Sequence, residues 1–286
     1  MITYLLSPFQ YPFMQDAMLM GALIGAVCAV LSCFLVLKGW SLMGDAISHA
    51  VLPGIVLAYM VGLPLSIGAF AAGLMCATAT GYIKANSRLK EDTAMGIVFT
   101  GMFAAGLVLF TKVNSDQHLN HILFGNILGI EPDDMMQTTI ICTITFFALM
   151  LMKKDLLLYC FDSGHARTIG INTTFLHYAL LSMLAATIVA SLQAVGVLLV
   201  IAMLVTPGCI AYMLTDRFDL MLLSAFSASV FSCVFGAYIS FLSNASTAGC
   251  IVLTQSSIFI LAMIFGPKYG LIAQSRAFVP SKPTVS

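Results

Sequence analysis

A chain of 286 residues that is 60% hydrophobic and only 8% charged, with a mean hydropathy of +1.01, cannot clothe a water-soluble globule. Soluble domains carry roughly 25% charged residues. Twelve basic residues balance twelve acidic ones, so no excess positive charge points to a nucleic-acid partner, and the class left is an all-α polytopic membrane protein solvated by lipid.

A hydrocarbon core of ~30 Å takes about 20 apolar residues per helix. Candidate spans are 17–37, 39–61, 64–84, 93–111, 134–152, 174–191, 194–214, 220–242 and 249–267. The bundle therefore has eight or nine spans. The count depends on whether the short turns at 62–63 and 192–193 join two full spans or a span and a broken half-helix. Residues 1–15 show no basic n-region and no small-residue cleavage site follows, so no cleaved signal peptide is expected. No polar segment is long enough for a soluble catalytic domain. Residues 1–275 read as one transmembrane domain, 276–286 as a disordered cytoplasmic tail, and any energy-transducing domain as a separate chain.

Lys84, Arg88 and Lys90 cluster in one loop, Lys153, Lys154 and Arg167 in a second, Arg217 in a third, and Lys268, Arg276 and Lys282 near the C-terminus. Basic loops face the cytoplasm. Placing all four there puts loop 112–132, turn 243–248 and the N-terminus outside. Gly21 and Gly25 form a G-x-x-x-G that lets helices approach closely. The eight cysteines lie mostly in apolar runs without a C-x-x-C pair and read as small buried hydrophobes.

Asp45 and His49 stand out in the second span. Four residues apart, they share one helix face. With a helix starting near residue 39 they lie roughly 9 to 15 Å below its end, beyond the snorkelling reach of short side chains. Two ionisable groups at that depth are costly and point to function. They could neutralise each other, or Asp45 could cap a helix starting at the surface. The functional reading is metal binding, since carboxylate plus neutral imidazole suits Mn²⁺, Fe²⁺ or Zn²⁺. One chain offers only two ligands, and a two-fold dimer would offer four. Ser48 and a kink at Pro53 and Gly54 would free carbonyls at that level. Thr206, Pro207 and Gly208 mark a second break, read as a hinge, a pore lining or a packed kink.

The stretch 153–173 is polar. Asp162 or Ser163 can cap a short helix from about Gly164, with Ala166 and Gly170 on one smooth face that would dock a partner. His118 and His121 make an H-x-x-H in the outer loop, which reads as a solvated loop. His177 reads as a satisfied interfacial histidine, and His165 has no metal role. H-E-x-x-H, G-x-S-x-G and Walker A motifs are missing. Ser48 and His49 are adjacent on a helix, so they diverge and cannot act as nucleophile and base.

Taken together, GDAISHAVLPG at 44–54, LFGNILG at 123–129, DSGHARTIGI at 162–171, and VGVLLV at 195–200 with TPG at 206–208 resemble, in order, the motifs of the metal-ion ABC importer permeases, the ABC-3 family. The match spans nearly the whole chain and is most like the permeases of chelated iron/manganese systems of Gram-negative bacteria. The resemblance implies a type II ABC importer-like permease in the inner membrane. It implies two cytoplasmic ABC ATPase subunits docked through Asp162, Ala166 and Gly170, a periplasmic metal-binding protein, and a second permease chain, identical or similar. It implies a divalent metal ion as substrate, lined by Asp45 and His49, with no permanently bound cofactor. Two other readings stay open: an ABC permease for a larger chelate such as a siderophore or cobalamin, and an intramembrane zinc hydrolase built on Asp45 and His49.

Overall fold

The computed structural model describes residues 11–40, 42–112, 127, 129, 130, 132–267, 270 and 271. His118, His121, most of the 123–129 segment and the tail 276–286 lie outside the described residues. Among the described residues the regular structure is entirely helical: α1 (Pro12–Lys38), α2 (Met43–Val61), α3 (Leu65–Asn86), α4 (Glu91–Phe110), α5 (Pro132–Leu151), α6 (Lys153–Phe161), α7 (Ser163–Thr168), α8 (Thr173–Val195), α9 (Val197–Leu214), α10 (Phe218–Ser243) and α11 (Thr247–Phe265). Nine of these, all but α6 and α7, are long and apolar enough to cross a membrane. The nine-span reading therefore describes the helices found.

Helix ends follow local chemistry. α1 starts at Pro12, earlier than expected, because proline at the first helical position has no needed N–H to lose. Its 27 residues give a rod of about 40 Å. The turn between α2 and α3 falls at Gly62, as expected. The turn between α8 and α9 falls at Gly196 and not at 192–193. Gln193 stays helical, and the chain bends where glycine accepts φ of +81°.

α1 runs through the centre, packed on α9, α10 and α5, while α2 packs on α3 and α4. In α1, 72% of the most apolar stretch is buried, against 17% in α4 and α11, which form outer walls. Small residues permit the close crossings. Ser229 Oγ donates to the Gly25 carbonyl at 2.8 Å, so α1 and α10 meet across that glycine. Phe34 lies 5.1 Å from Phe218, ring centre to ring centre, and Lys153 pairs with Asp219. The last turn of α1, the start of α10 and α6 thus share one basic end. Tyr11 lies 5.7 Å from Phe241, which sets the start of α1 at the opposite end, as the charge reading requires.

α9 continues as helix through Pro207 and Gly208, both buried. Pro207 has no N–H, and a Cβ at Gly208 would lie 2.7 Å from the Ser32 carbonyl oxygen. Ser32 of α1, fully buried, bonds the backbone of α9 on both sides of Pro207. Its Oγ accepts from Gly208 N–H at 2.9 Å and donates to the Val205 carbonyl at 3.1 Å. Ser32→Ala leaves both backbone groups without that partner and is expected to cost about 1–3 kcal/mol. A lowered Tm of the purified protein in detergent checks it.

Candidate functional site

α2 starts at Met43, later than the expected 39, because Gly39, Trp40 and Leu42 lie outside the helix. Trp40 N–H donates to the Leu35 carbonyl at 2.8 Å, and Met43 N–H to the Trp40 carbonyl at 3.0 Å. Asp45 therefore sits in the first turn of α2, where a carboxylate complements the helix dipole. That first turn is nevertheless not at a surface. Gly44 abuts Leu204, which at ~1.5 Å per residue lies about 15 Å from the basic end of α9. Ile47 lies against Gly73, midway along α3, and Gly73 also touches Ala185, midway along α8. The His49 ring is stacked 6.3 Å from Phe99 and edge-on 5.4 Å from Phe103, both midway along α4. Three neighbouring helices thus place the pair near mid-height of the bundle.

The helical spacing brings the two side chains together. His49 Nε2 lies 3.3 Å from Asp45 Oδ1, with 38% and 37% of the two side chains exposed. From Met43 to Val56 every other residue of α2 is buried. The only opening on this sealed stretch of helix is the ionisable pair. Two ligands bound at about 2.1 Å to one metal ion are about 3.0–3.4 Å apart, from octahedral to tetrahedral angles. The observed separation falls in that window and equally in the range of a direct ion pair. Among the described residues no group of three or more His, Cys, Asp and Glu that could hold a metal ion gathers in one place.

The backbone adds to the site. Pro53 has no N–H to give the His49 carbonyl four residues back, so that oxygen loses its regular helical partner. Ser48 Oγ is turned the other way, donating to the Gly44 carbonyl at 2.7 Å. Pro53 and Gly54 are buried in helix contacts. Pro53 faces Gly106 of α4, and a Cβ on Gly54 would come within 2.1 Å of the Gly68 carbonyl oxygen of α3. Phe99 and Phe103 were not singled out in the sequence. Their i, i+4 spacing on an apolar helix is the signal that pairs them on one face.

At the basic end, Asp162 caps α7 as expected, its Oδ1 accepting from His165 N–H at 2.9 Å. Asn172 Oδ1 caps α8 by accepting from Phe175 N–H at 3.0 Å. The smooth face expected from Ala166 and Gly170 is not formed. Ala166 is fully buried against its own chain. Gly170 lies past the end of α7 at Thr168 with φ of +89°, so the i, i+4 relation of a continuous helix does not hold. Every residue from Phe161 to Gly170 except Ala166 is exposed, Phe161 and Ile169 being the large apolar ones. His177 Nδ1 is 2.9 Å from the Tyr159 hydroxyl, a satisfied histidine as expected. All eight cysteines are free thiols, six of them buried. Burial pushes the thiol of Cys160, in α6 outside the spans, up to about 12, with nearby Lys38 opposing.

Residues 10–266 match the model of the ABC 3 transport family. The "Chelated iron transport system membrane protein YfeD" of Yersinia pestis is 60% identical over 258 residues, covering 90% of this chain and 87% of that protein. The "Manganese transport system membrane protein MntB" of Synechocystis is 55% identical over 271 residues, covering 95% and 89%. Among solved structures, PsaBC from Streptococcus pneumoniae in complex with Fab superposes with a TM-score of 0.86 at 36% identity, over 96% of this chain and all of that one.

Proposed function

The chain belongs to the ABC 3 transport family, and from that membership we propose that it imports a divalent transition metal ion, Mn²⁺ or Fe²⁺, along a path that passes Asp45 and His49. It is a multi-pass permease of the bacterial inner membrane. The observation that carries the metal reading is the single opening between Met43 and Val56 of α2. A carboxylate and an imidazole are about a third exposed at mid-height on an otherwise buried stretch of helix. Facing lipid there would be costly. Facing a second permease chain across a two-fold axis, they form half of an ion site with two carboxylates and two imidazoles. Nitrogen and oxygen donors without thiolate bind these ions and release them more readily than a cysteine set. The names borne by the relatives, chelated iron for one and manganese for another, support iron and manganese as the substrate metals.

In this reading two ATPase subunits dock at the basic end on the loop capped by Asp162, and a periplasmic metal-binding protein delivers the ion to the other end. ATP-driven closure displaces α7, rocks α6 and α8, and opens the Asp45–His49 level to one side at a time. The glycine contact at Gly54 and the buried Pro207 and Gly208 are the pivots of that motion. Gly170 must be glycine because its φ of +89° is strained for a β-branched side chain. Gly170→Val is expected to lower transport per ATP hydrolysed while the permease stays folded, as measured in proteoliposomes containing the ATPase. The test of the function is metal accumulation. Deleting the gene should lower cellular manganese or iron under scarcity, and re-expression should restore it. Unchanged high-affinity uptake of both ions in the deletion strain would overturn the reading.

A further inference from the structure

Four side chains at the basic end join the segment that leads into α2 to the two helices that flank α7. Trp40, just before α2, is 3% exposed and meets His177 of α8 edge-on, with ring centres 5.2 Å apart. His177 Nδ1 meets the hydroxyl of Tyr159 in α6 at 2.9 Å. Lys38, at the end of α1, lies 4.0 Å from the centre of the Tyr159 ring and donates through Nζ to the Tyr159 carbonyl at 3.2 Å. The opposite edge of His177, at Nε2, borders Gly81 of α3.

The topology gives this cluster its meaning. Tyr159 precedes α7 and His177 follows it, so their contact closes the base of the α6–α7–α8 loop. Thr173, at the start of α8, accepts a long 3.4 Å contact from Arg167 Nη2 of α7, a second tie between α7 and α8. On the other side, Trp40 is shared by two helices. Its N–H closes the end of α1, and its carbonyl receives the N–H of Met43, the first residue of α2. Asp45 follows within the first turn. A displacement of α6 and α8 therefore reaches the turn carrying Asp45 through two side-chain contacts and one backbone hydrogen bond. Among the described residues the Trp40 Nε1–H is buried without an acceptor. A buried donor left unmade is a cost to the present arrangement, which favours a second position of the ring.

We propose that Trp40, His177 and Tyr159 form a mechanical latch that transmits movement of the α6–α7–α8 loop to the N-terminus of α2, and so to the ion site. These are positioning residues that do not touch the ion. The proposal rests on the metal-importer reading above and adds to it the path by which the motor end governs the site.

Trp40 is the chain's one tryptophan, so the latch carries its own reporter. The experiment uses the assembled transporter, permease with its ATPase subunits, in proteoliposomes. Wild type, Tyr159→Phe, His177→Phe and Trp40→Phe are compared for manganese moved per ATP hydrolysed and for equilibrium manganese binding. Emission of Trp40, taken as the difference between wild-type and Trp40→Phe complexes, is followed on adding a non-hydrolysable ATP analogue. The expected result is an emission change in wild type that Tyr159→Phe loses. Transport per ATP falls about 10-fold in Tyr159→Phe and His177→Phe, the size of an ordinary coupling between sites. Manganese binding is unchanged, which a merely structural defect would not spare. Tyr159→Phe deletes one oxygen and decides the matter if His177→Phe does not fold. Wild-type stoichiometry in Tyr159→Phe, or a Trp40 emission indifferent to nucleotide, overturns the latch. If wild type transports metal and the variants match it, the latch alone fails. If wild type moves neither manganese nor iron, the function reading fails and takes the latch with it.

Discussion

Asp45→Asn and His49→Ala are each expected to lower metal uptake by at least about 100-fold, since loss even of groups that only orient a metal's ligands costs 10–100-fold. The fold should survive. Both side chains are more than a third exposed, and neither fills the core. Asp45→Asn keeps the shape and removes the charge, so it separates a ligand from a spacer. His49→Ala also leaves Phe99 and Phe103 without the ring between them and α2. His49→Gln, which keeps bulk and one polar end, is therefore the companion variant. Radiolabelled manganese or iron uptake, with size-exclusion profiles of each variant, reads both outcomes. Near-normal uptake by Asp45→Asn would mean that the pair merely neutralises itself within the membrane.

The second large effect concerns the scaffold. Gly54→Val or Gly68→Val is expected to abolish the folded permease. A Cβ at Gly54 would lie 2.1 Å from the Gly68 carbonyl oxygen, and one at Gly68 2.2 Å from that of Gly54. These are backbone atoms of two helices, and no rotamer change relieves them. Relief requires parting α2 from α3, beyond the about 1–3 kcal/mol of ordinary overpacking. Because α2 carries Asp45 and His49, any partial survivor should also misplace the ion site. Gly96→Ala, where nothing lies within 4 Å of the added carbon, is the control that should express and fold normally. The yield of monodisperse protein and its Tm distinguish the two.

Much of this was written in the sequence because lipid simplifies the code. Backbone groups in hydrocarbon must pair within their own helix, so runs of about 20 apolar residues mark the spans directly. The Asp45–His49 contact was equally legible, since i, i+4 spacing alone dictates a shared face. Legibility failed where a local backbone choice decided the outcome. Polar Gln193 looked like a boundary, yet the chain turns at Gly196, which alone there takes positive φ. Ala166 and Gly170 looked like one face, yet α7 stops at Thr168 and Ala166 turns inward. Depth was legible only through an assumed helix start. Residue counting placed the pair by where α2 begins, whereas its true height depends on Leu204, Gly73 and Phe103, which come from distant parts of the chain. Ser32 was likewise invisible as the partner of Gly208, because 176 residues separate them.

The central claim is that Asp45 and His49 hold the transported ion. Pulsed electron paramagnetic resonance of Mn²⁺ bound to the purified wild-type permease tests it most directly. A coupling from imidazole nitrogen that disappears in His49→Ala, with weakened binding in Asp45→Asn, is the result expected. A nitrogen coupling unchanged in His49→Ala, or Mn²⁺ bound equally well by both variants, would contradict it.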